Sequence, residues 1–239
     1  MIFDVKLGEN FRRKARMVDG GHTKMSPLSL IYLSVISRDS VRIALTIASL
    51  NDLEVMACDI QNAYLTAQCS EKIWTTAGPE FVSESGQTMI IVRALYGLKS
   101  SGAAFRALLA ETLHDLGYTP LLADQDVWLR PEVKENGFEY YEVILCYVDN
   151  VLSISHDLMK TMNGIRANFI LKYDKVEKPD IYLGALLEKM ATADGVECWT
   201  MSPEKYCKAA VENVENTLND HGRKFSTNCR APLKSCYRI

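Results

Sequence analysis

The sequence predicts an α+β fold, an antiparallel sheet with helices packed on one face. Two observations carry this. Strand-like runs and helical stripes follow one another without the regular alternation of a βαβ chain. Residues 140–155, YYEVILCYVDNVLSIS, hold two β-rich runs around a polar break at Val148-Asp149-Asn150, the mark of a hairpin. The composition suits a globular core: 239 residues, 48% hydrophobic and 24% charged.

The elements follow in order. Residues 1–38 mix charges, Gly and Ser, with Gly20-Gly21 and Pro27 as punctuation, and have room for a hairpin and a loop. In residues 40–51, Val41, Ala44, Leu45, Ala48 and Leu50 share one helical stripe, with Asp39 or Ser40 as the cap. LEVMACD then reads as a buried strand ending in Asp59. Residues 71–95 alternate strand pieces (EKIW, TMIIVRAL) with a Gly/Pro/Ser loop. A helix is predicted over 101–116, capped by Ser100 or Ser101 and stopped by Gly117. After the 140–155 hairpin comes a helix over 157–171. A second hairpin turns at Asp194-Gly195. The last helix starts at Ser202-Pro203 and runs to about His221, with Gly222 as its stop. Residues 223–239 read as a frayed tail.

Composition excludes several classes. No apolar run approaches the roughly 18 residues that span a bilayer, and the N-terminus MIFDVKLGENFRRKAR has no secretory pattern. The expectation is an intracellular protein with no membrane partner. The seven cysteines include no CxxC pair, so reduced thiols are expected, and the four histidines lack zinc-ligand spacing. The net charge is −3, so any nucleic-acid-binding face must be local. The strongest basic cluster is Arg12, Arg13, Lys14 and Arg16, and such a run also serves as a plain solvated edge.

Asp59 and Asp149 each follow an apolar stretch at a strand end or hairpin tip. A carboxylate beside a core is costly unless something neutralises it. A divalent cation does so: Mg2+ binds one or two carboxylates plus phosphates and water. An Asp at a strand end is more usually a turn or helix-cap residue, and spacing alone does not identify a polymerase.

Three segments resemble the reverse-transcriptase domain of copia-type retrotransposons. CDIQNAYL (58–65) resembles its first carboxylate motif, RALYGLKSSGAAF (93–105) its template and nucleotide contact motif, and CYVDN (146–150) its Tyr-x-Asp-Asp hairpin. KARMVDGGHT (14–23) resembles the fingers segment, and YLGALLEK (182–189) and WTMSPEKY (199–206) later palm and primer-gripping segments. The resemblance implies partial fingers over 1–38, a polymerase palm over 39–222 and a C-terminal tail over 223–239. It implies RNA-directed DNA polymerase activity: addition of deoxynucleotides to a primer 3′-end by two-metal phosphoryl transfer. Two Mg2+ or Mn2+ ions would clamp the attacking and leaving oxygens.

The same resemblance assigns residues. Asp59 and Asp149 would be catalytic metal ligands, joined by the Ile60 carbonyl. Tyr64 would lie under the nucleotide sugar and collide with a 2′-hydroxyl, with Ala63 at the border of that pocket. Tyr96, Gly97 and Lys99 would line nucleotide and template. Lys14 and Arg16 would meet the triphosphate, where cations stabilise transferring phosphoryl charge. Packing roles stay open for Tyr64 and Tyr96, a solvated helix start for Lys99, and core positions for Trp199 and Tyr206. The implied partners are deoxynucleoside triphosphates and an RNA or DNA template with its primer, within a polyprotein that also carries integrase and RNase H. That family context places it in a cytoplasmic particle or the nucleus; oligomeric state is undetermined.

One position departs from the pattern. The family's hairpin ends in two aspartates, and here the second catalytic position is Asn150. An amide hydrogen-bonds but carries no charge. Asp157, at the far end of the returning strand, is not expected to replace it. The expectation is an impaired polymerase from a decayed or truncated element; the alternative is an inactive remnant that at most binds primer–template.

Overall fold

The computed structural model describes residues 2–6, 12–18 and 34–225. His22, Cys229, Cys236, the Gly20-Gly21 and Pro27 breaks and most of the predicted tail lie outside them. The chain begins with a two-stranded antiparallel hairpin, β1 (Ile2–Lys6) and β2 (Arg12–Arg16). Next come α1 (Arg38–Leu50), β3 (Glu54–Asp59) and a single turn of helix, α2 (Ala63–Thr66). A second antiparallel pair, β4 (Gln68–Thr76) and β5 (Thr88–Arg93), leads to α3 (Ser101–Asp115).

The centre of the molecule is a five-stranded antiparallel sheet of order β3-β9-β8-β7-β6. Its further strands are β6 (Thr119–Pro120), β7 (Val127–Val133), β8 (Glu139–Tyr147) and β9 (Asn150–Ser155). Beyond it lie α4 (Leu158–Asn168), a three-stranded sheet of β10 (Ile181–Tyr182), β11 (Ala185–Ala191) and β12 (Glu197–Ser202), and finally α5 (Glu204–Asp220).

Strand alternation explains the layering. Along β8, Ile144 and Cys146 face a core formed with Phe105, Leu109 and Leu113 of α3 and Met162 and Ile165 of α4. Val143 and Leu145 face the opposite core, with Val41, Ala44, Leu45 and Ala48 of α1 and Tyr182 and Leu187 of the small sheet. The expectation of helices on one face is therefore corrected: α1 and the small sheet cover the second face. The near-continuous apolar run of β8 and β9 reflects burial on both sides. An amphipathic stripe tells that a helix packs, not against which face.

Local signals differ at several ends. The cap of α1 is Ser37, whose hydroxyl accepts from the Ser40 N–H at 2.9 Å, rather than Asp39 or Ser40. Leu50, placed on its stripe, is exposed. At α3 Ser100 takes the N-cap position, as expected, but makes no side-chain cap bond, and the Ser101 hydroxyl donates to the Leu95 carbonyl at 2.7 Å. That bond closes the loop carrying Tyr96 and Gly97. The sequence reading missed β7, because Pro131 interrupts it; β6 is too short to reach Pro131, so the missing N–H faces no partner strand there. No helix among the described residues is long and apolar enough to cross a membrane.

Candidate active site

The β8–β9 hairpin has a two-residue tip, Val148-Asp149, between the paired Tyr147 and Asn150. Val148 has φ +53°, unusual for a β-branched residue, and a positive φ in this first turn position is normally taken by Gly. Such backbone strain costs on the order of 1–3 kcal/mol and persists where surrounding structure enforces it. Here β3 supplies that enforcement. Asp59 lies directly opposite Asn150, and the Ile60 N–H donates to the Asp149 carbonyl at 2.7 Å. Two aspartates far apart in the chain thus come together at one end of the sheet.

Their surroundings differ. The Asp59 carboxylate is 38% exposed and accepts from the Lys172 ammonium at 3.1 Å. Asn150 shares the strand face of Leu152, and its amide oxygen is buried with no hydrogen-bond partner. Asp59, Asn150 and Lys172 line a cleft of about 230 Å³ with Tyr173, Glu177 and Asp180. Cys58, at its wall, has a thiol pushed up to about 12 by burial and by the neighbouring Asp59 charge. It stays a neutral thiol at physiological pH.

Beside the tip, the turn after β3 passes through Asn62 at φ +53° and starts α2, which buries Ala63 and presents Tyr64. The Tyr64 and Tyr96 rings lie 5.0 Å apart, and Tyr64 also packs near Phe105. Burial raises both hydroxyls above the usual tyrosine range, and the Asp149 charge adds to it in each case; Tyr96 also feels Asp59. These tyrosines therefore stand within electrostatic reach of the tip. Gly97 follows at φ +94°, a conformation that favours glycine. Val18 bridges Tyr96, and the Arg16 guanidinium lies 5.9 Å over the Tyr96 ring. Lys99 is exposed in the turn before α3. The backbone of Lys14 pairs with Asp4 in the first hairpin, while its side chain lies outside the described set.

The structure thus gathers Asp59, Ile60, Ala63, Tyr64, Tyr96, Asp149, Asn150 and Arg16 at one end of the sheet. Of the later segments, Trp199 packs half-buried against the α1 core, whereas Tyr206 is exposed and outside any core. Sequence reasoning missed Lys172, which is 113 residues from Asp59 and sits in an unremarkable charged stretch. Among the described residues, Asp59, Asp149 and the Ile60 carbonyl offer oxygens at the tip, the kind of ligand Mg2+ takes. They fit one ion completed by phosphates and water; among the described residues no group of three or more His, Cys, Asp or Glu is placed to hold a metal.

Comparison with known proteins identifies the family. The profile of the family described as reverse transcriptase (RNA-dependent DNA polymerase) matches residues 2–222. Similar proteins include the retrovirus-related Pol polyprotein from transposon TNT 1-94 of Nicotiana tabacum, 26% identical over 215 residues, 86% of this chain and 15% of that protein. The Pol polyprotein from transposon RE1 of Arabidopsis thaliana is 25% identical over 168 residues, 67% of this chain and 11% of that protein. The chain therefore spans only a small part of the relatives it matches. By this match across nearly its whole length, the chain belongs to the reverse-transcriptase family, as a domain of the copia-type retrotransposon kind.

Proposed function

We propose that the chain is a polymerase core that adds deoxynucleotides to a primer 3′-end on an RNA or DNA template, at a rate strongly reduced by Asn150. The observation that carries this reading is the pairing of Asp59 with Asn150 and the Ile60–Asp149 hydrogen bond, which bring two chain-distant carboxylates beside Tyr64 and Tyr96. In this reading residues 39–222 act as the palm, residues 1–38 as part of the fingers and 223–239 as a tail. The retrotransposon relatives suggest that it works within a Pol polyprotein.

Asp59, Asp149 and the Ile60 carbonyl would hold Mg2+ or Mn2+, which when bound offsets charge on the reacting phosphate. The protein's own contribution is positioning and electrostatics. Tyr64, braced by Tyr96 and Phe105, forms a fixed floor for a deoxyribose and excludes a 2′-hydroxyl. Buried Ala63 sets the depth of that pocket. Gly97 admits backbone close to the template base, and Lys99 flanks it. Arg16, stacked over Tyr96, is placed to meet the triphosphate, with Lys14 beside it on the same strand.

Asn150 sets the rate. An amide there leaves the tip one negative charge short, at a position where electrostatic stabilisation dominates. Loss of one such group costs on the order of 100- to 1000-fold. The test is primer extension on an RNA template with this chain and with Asn150→Asp. The aspartate variant is expected to be faster by that factor, and equal rates would remove the reading. A second reading, a palm that binds primer–template without extending it, is favoured by Asn150 and by the Lys172 ion pair. Salt-sensitive duplex binding with no extension even in Asn150→Asp would support it.

A further inference from the structure

The outer edge of β3 is flanked by residues 170–177, and among the described residues the backbone of this strap bonds to β3 and the turn after it at two places. The Gln61 N–H donates to the Ile170 carbonyl at 2.8 Å, next to the bridge between Ile60 and Leu171. Ala57 and Glu177 exchange both backbone bonds, at 2.8 and 3.1 Å. Between these points only Cys58 and Asp59 lie on β3, whereas Lys172 to Val176 lie on the strap. The strap bows outward, with Tyr173 and Asp174 at φ +58° and +51°. Two consecutive non-glycine residues in that region are costly, and the outcome is to aim Lys172 at Asp59.

The other charges of the strap are already paired. Asp174 meets Arg166 at 3.0 Å and Lys175 meets Glu177 at 4.0 Å; just beyond the strap, Asp180 meets Lys205 at 3.1 Å. Lys172 alone among these ion pairs reaches the sheet, and its ammonium also lies 5.7 Å over the Tyr173 ring. Across β3 and β9, Asn150 offers no charge and leaves its amide oxygen unpartnered.

We propose that the Lys172 ammonium is an internal counter-ion that holds the cation position at Asp59, so that a divalent ion binds there only by displacing or outweighing it. The inference rests on reading Asp59 and Asp149 as cation ligands. The Lys172 ammonium offsets the Asp59 charge at the place a doubly charged ion would take, and so weakens the attraction of that ion. Asn150→Asp would add a negative charge directly across from Asp59, so Asn150 and Lys172 lower cation affinity together. Both partners of the pair are more than one-third exposed, at 38% and 37% of the side chain, so solvent screens the pair and a stronger cation can compete for Asp59.

The test titrates Mn2+ alone into the full chain and reads the free ion by electron paramagnetic resonance. The parent is compared with Lys172→Met, Lys172→Arg, Asn150→Asp and the Asn150→Asp/Lys172→Met double variant. Lys172→Met is expected to bind Mn2+ about tenfold more tightly than the parent, from the loss of one nearby positive charge. Lys172→Arg, which keeps the charge, should match the parent, and the double variant should bind most tightly. Should Lys172→Met melt early, Lys172→Gln replaces it. If Lys172→Met equals the parent while Asn150→Asp binds more tightly, the counter-ion role is overturned and the cation site stands. If no variant binds Mn2+, the double variant included, the cation site falls and this inference falls with it.

Discussion

Glu142 and Asp59 are carboxylates on the same five-stranded sheet, held in opposite ways. Glu142 is fully buried and saturated: it accepts from Arg130 Nε at 2.8 Å, the Tyr118 hydroxyl at 3.0 Å and the Ser155 hydroxyl at 2.5 Å. Arg130 is its cross-strand neighbour on β7 and also donates to the Leu116 carbonyl at 2.7 Å. Asp59 stands at the sheet's outer corner, half open, with a lysine as its ion-pair partner. A charge sealed in a filled network cannot trade its partners for a ligand, because each partner would be left buried and unpaired. A charge at an open corner with a flexible partner can. Sign and functional group are the same; burial and the number of fixed donors separate a sealed carboxylate from one open to a ligand.

That contrast can be broken at either end. The largest effect is expected at Arg130. Arg130→Met leaves Glu142 buried without its cation and should lower stability by about 3–5 kcal/mol, read from the urea midpoint. A loss under about 1 kcal/mol would mean that the network is not sealed. Tyr118→Phe removes one donor and leaves Arg130 in place, so the expected loss falls to about 0.5–1.5 kcal/mol in the same assay. Asp59→Asn should change stability by no more than about 1 kcal/mol, since a half-exposed ion pair contributes little. A loss as large as that of Arg130→Met would make Asp59 a structural group and erase the distinction.

Much of this arrangement is legible in the sequence, for physical reasons that vary by element. The 140–155 hairpin announces itself through long β-rich runs around a polar break, and the α1 stripe through helical spacing. Asp59 and Asp149 stand out because polar residues end apolar strands. What stays hidden is set by tertiary contacts. Nothing local in RDSVRIAL tells which sheet face α1 covers, and a one-helix pattern fits either. Pro131 and the charges around it mask β7, whose strand state depends on pairing with β8. The left-handed Val148, Tyr173 and Asp174 contradict local preference and are held by β3 and its flanking strap. Lys172 looks like a solvated charge until the strap carries it across to Asp59. The family resemblance suggests roles for Tyr64 and Tyr96, and the structure shows that their rings meet each other and sense the Asp149 charge.

In the proposed function Asp59 and Asp149 serve one shared cation. Iron-directed backbone cleavage tests it most directly: Fe2+ replaces Mg2+, and ascorbate with peroxide generates hydroxyl radicals at the bound ion. Cuts are expected beside residue 59 and beside residue 149 together, with both lost in Asp59→Asn and both lost in Asp149→Asn. Cleavage confined to one segment, or surviving either substitution, would contradict a common site.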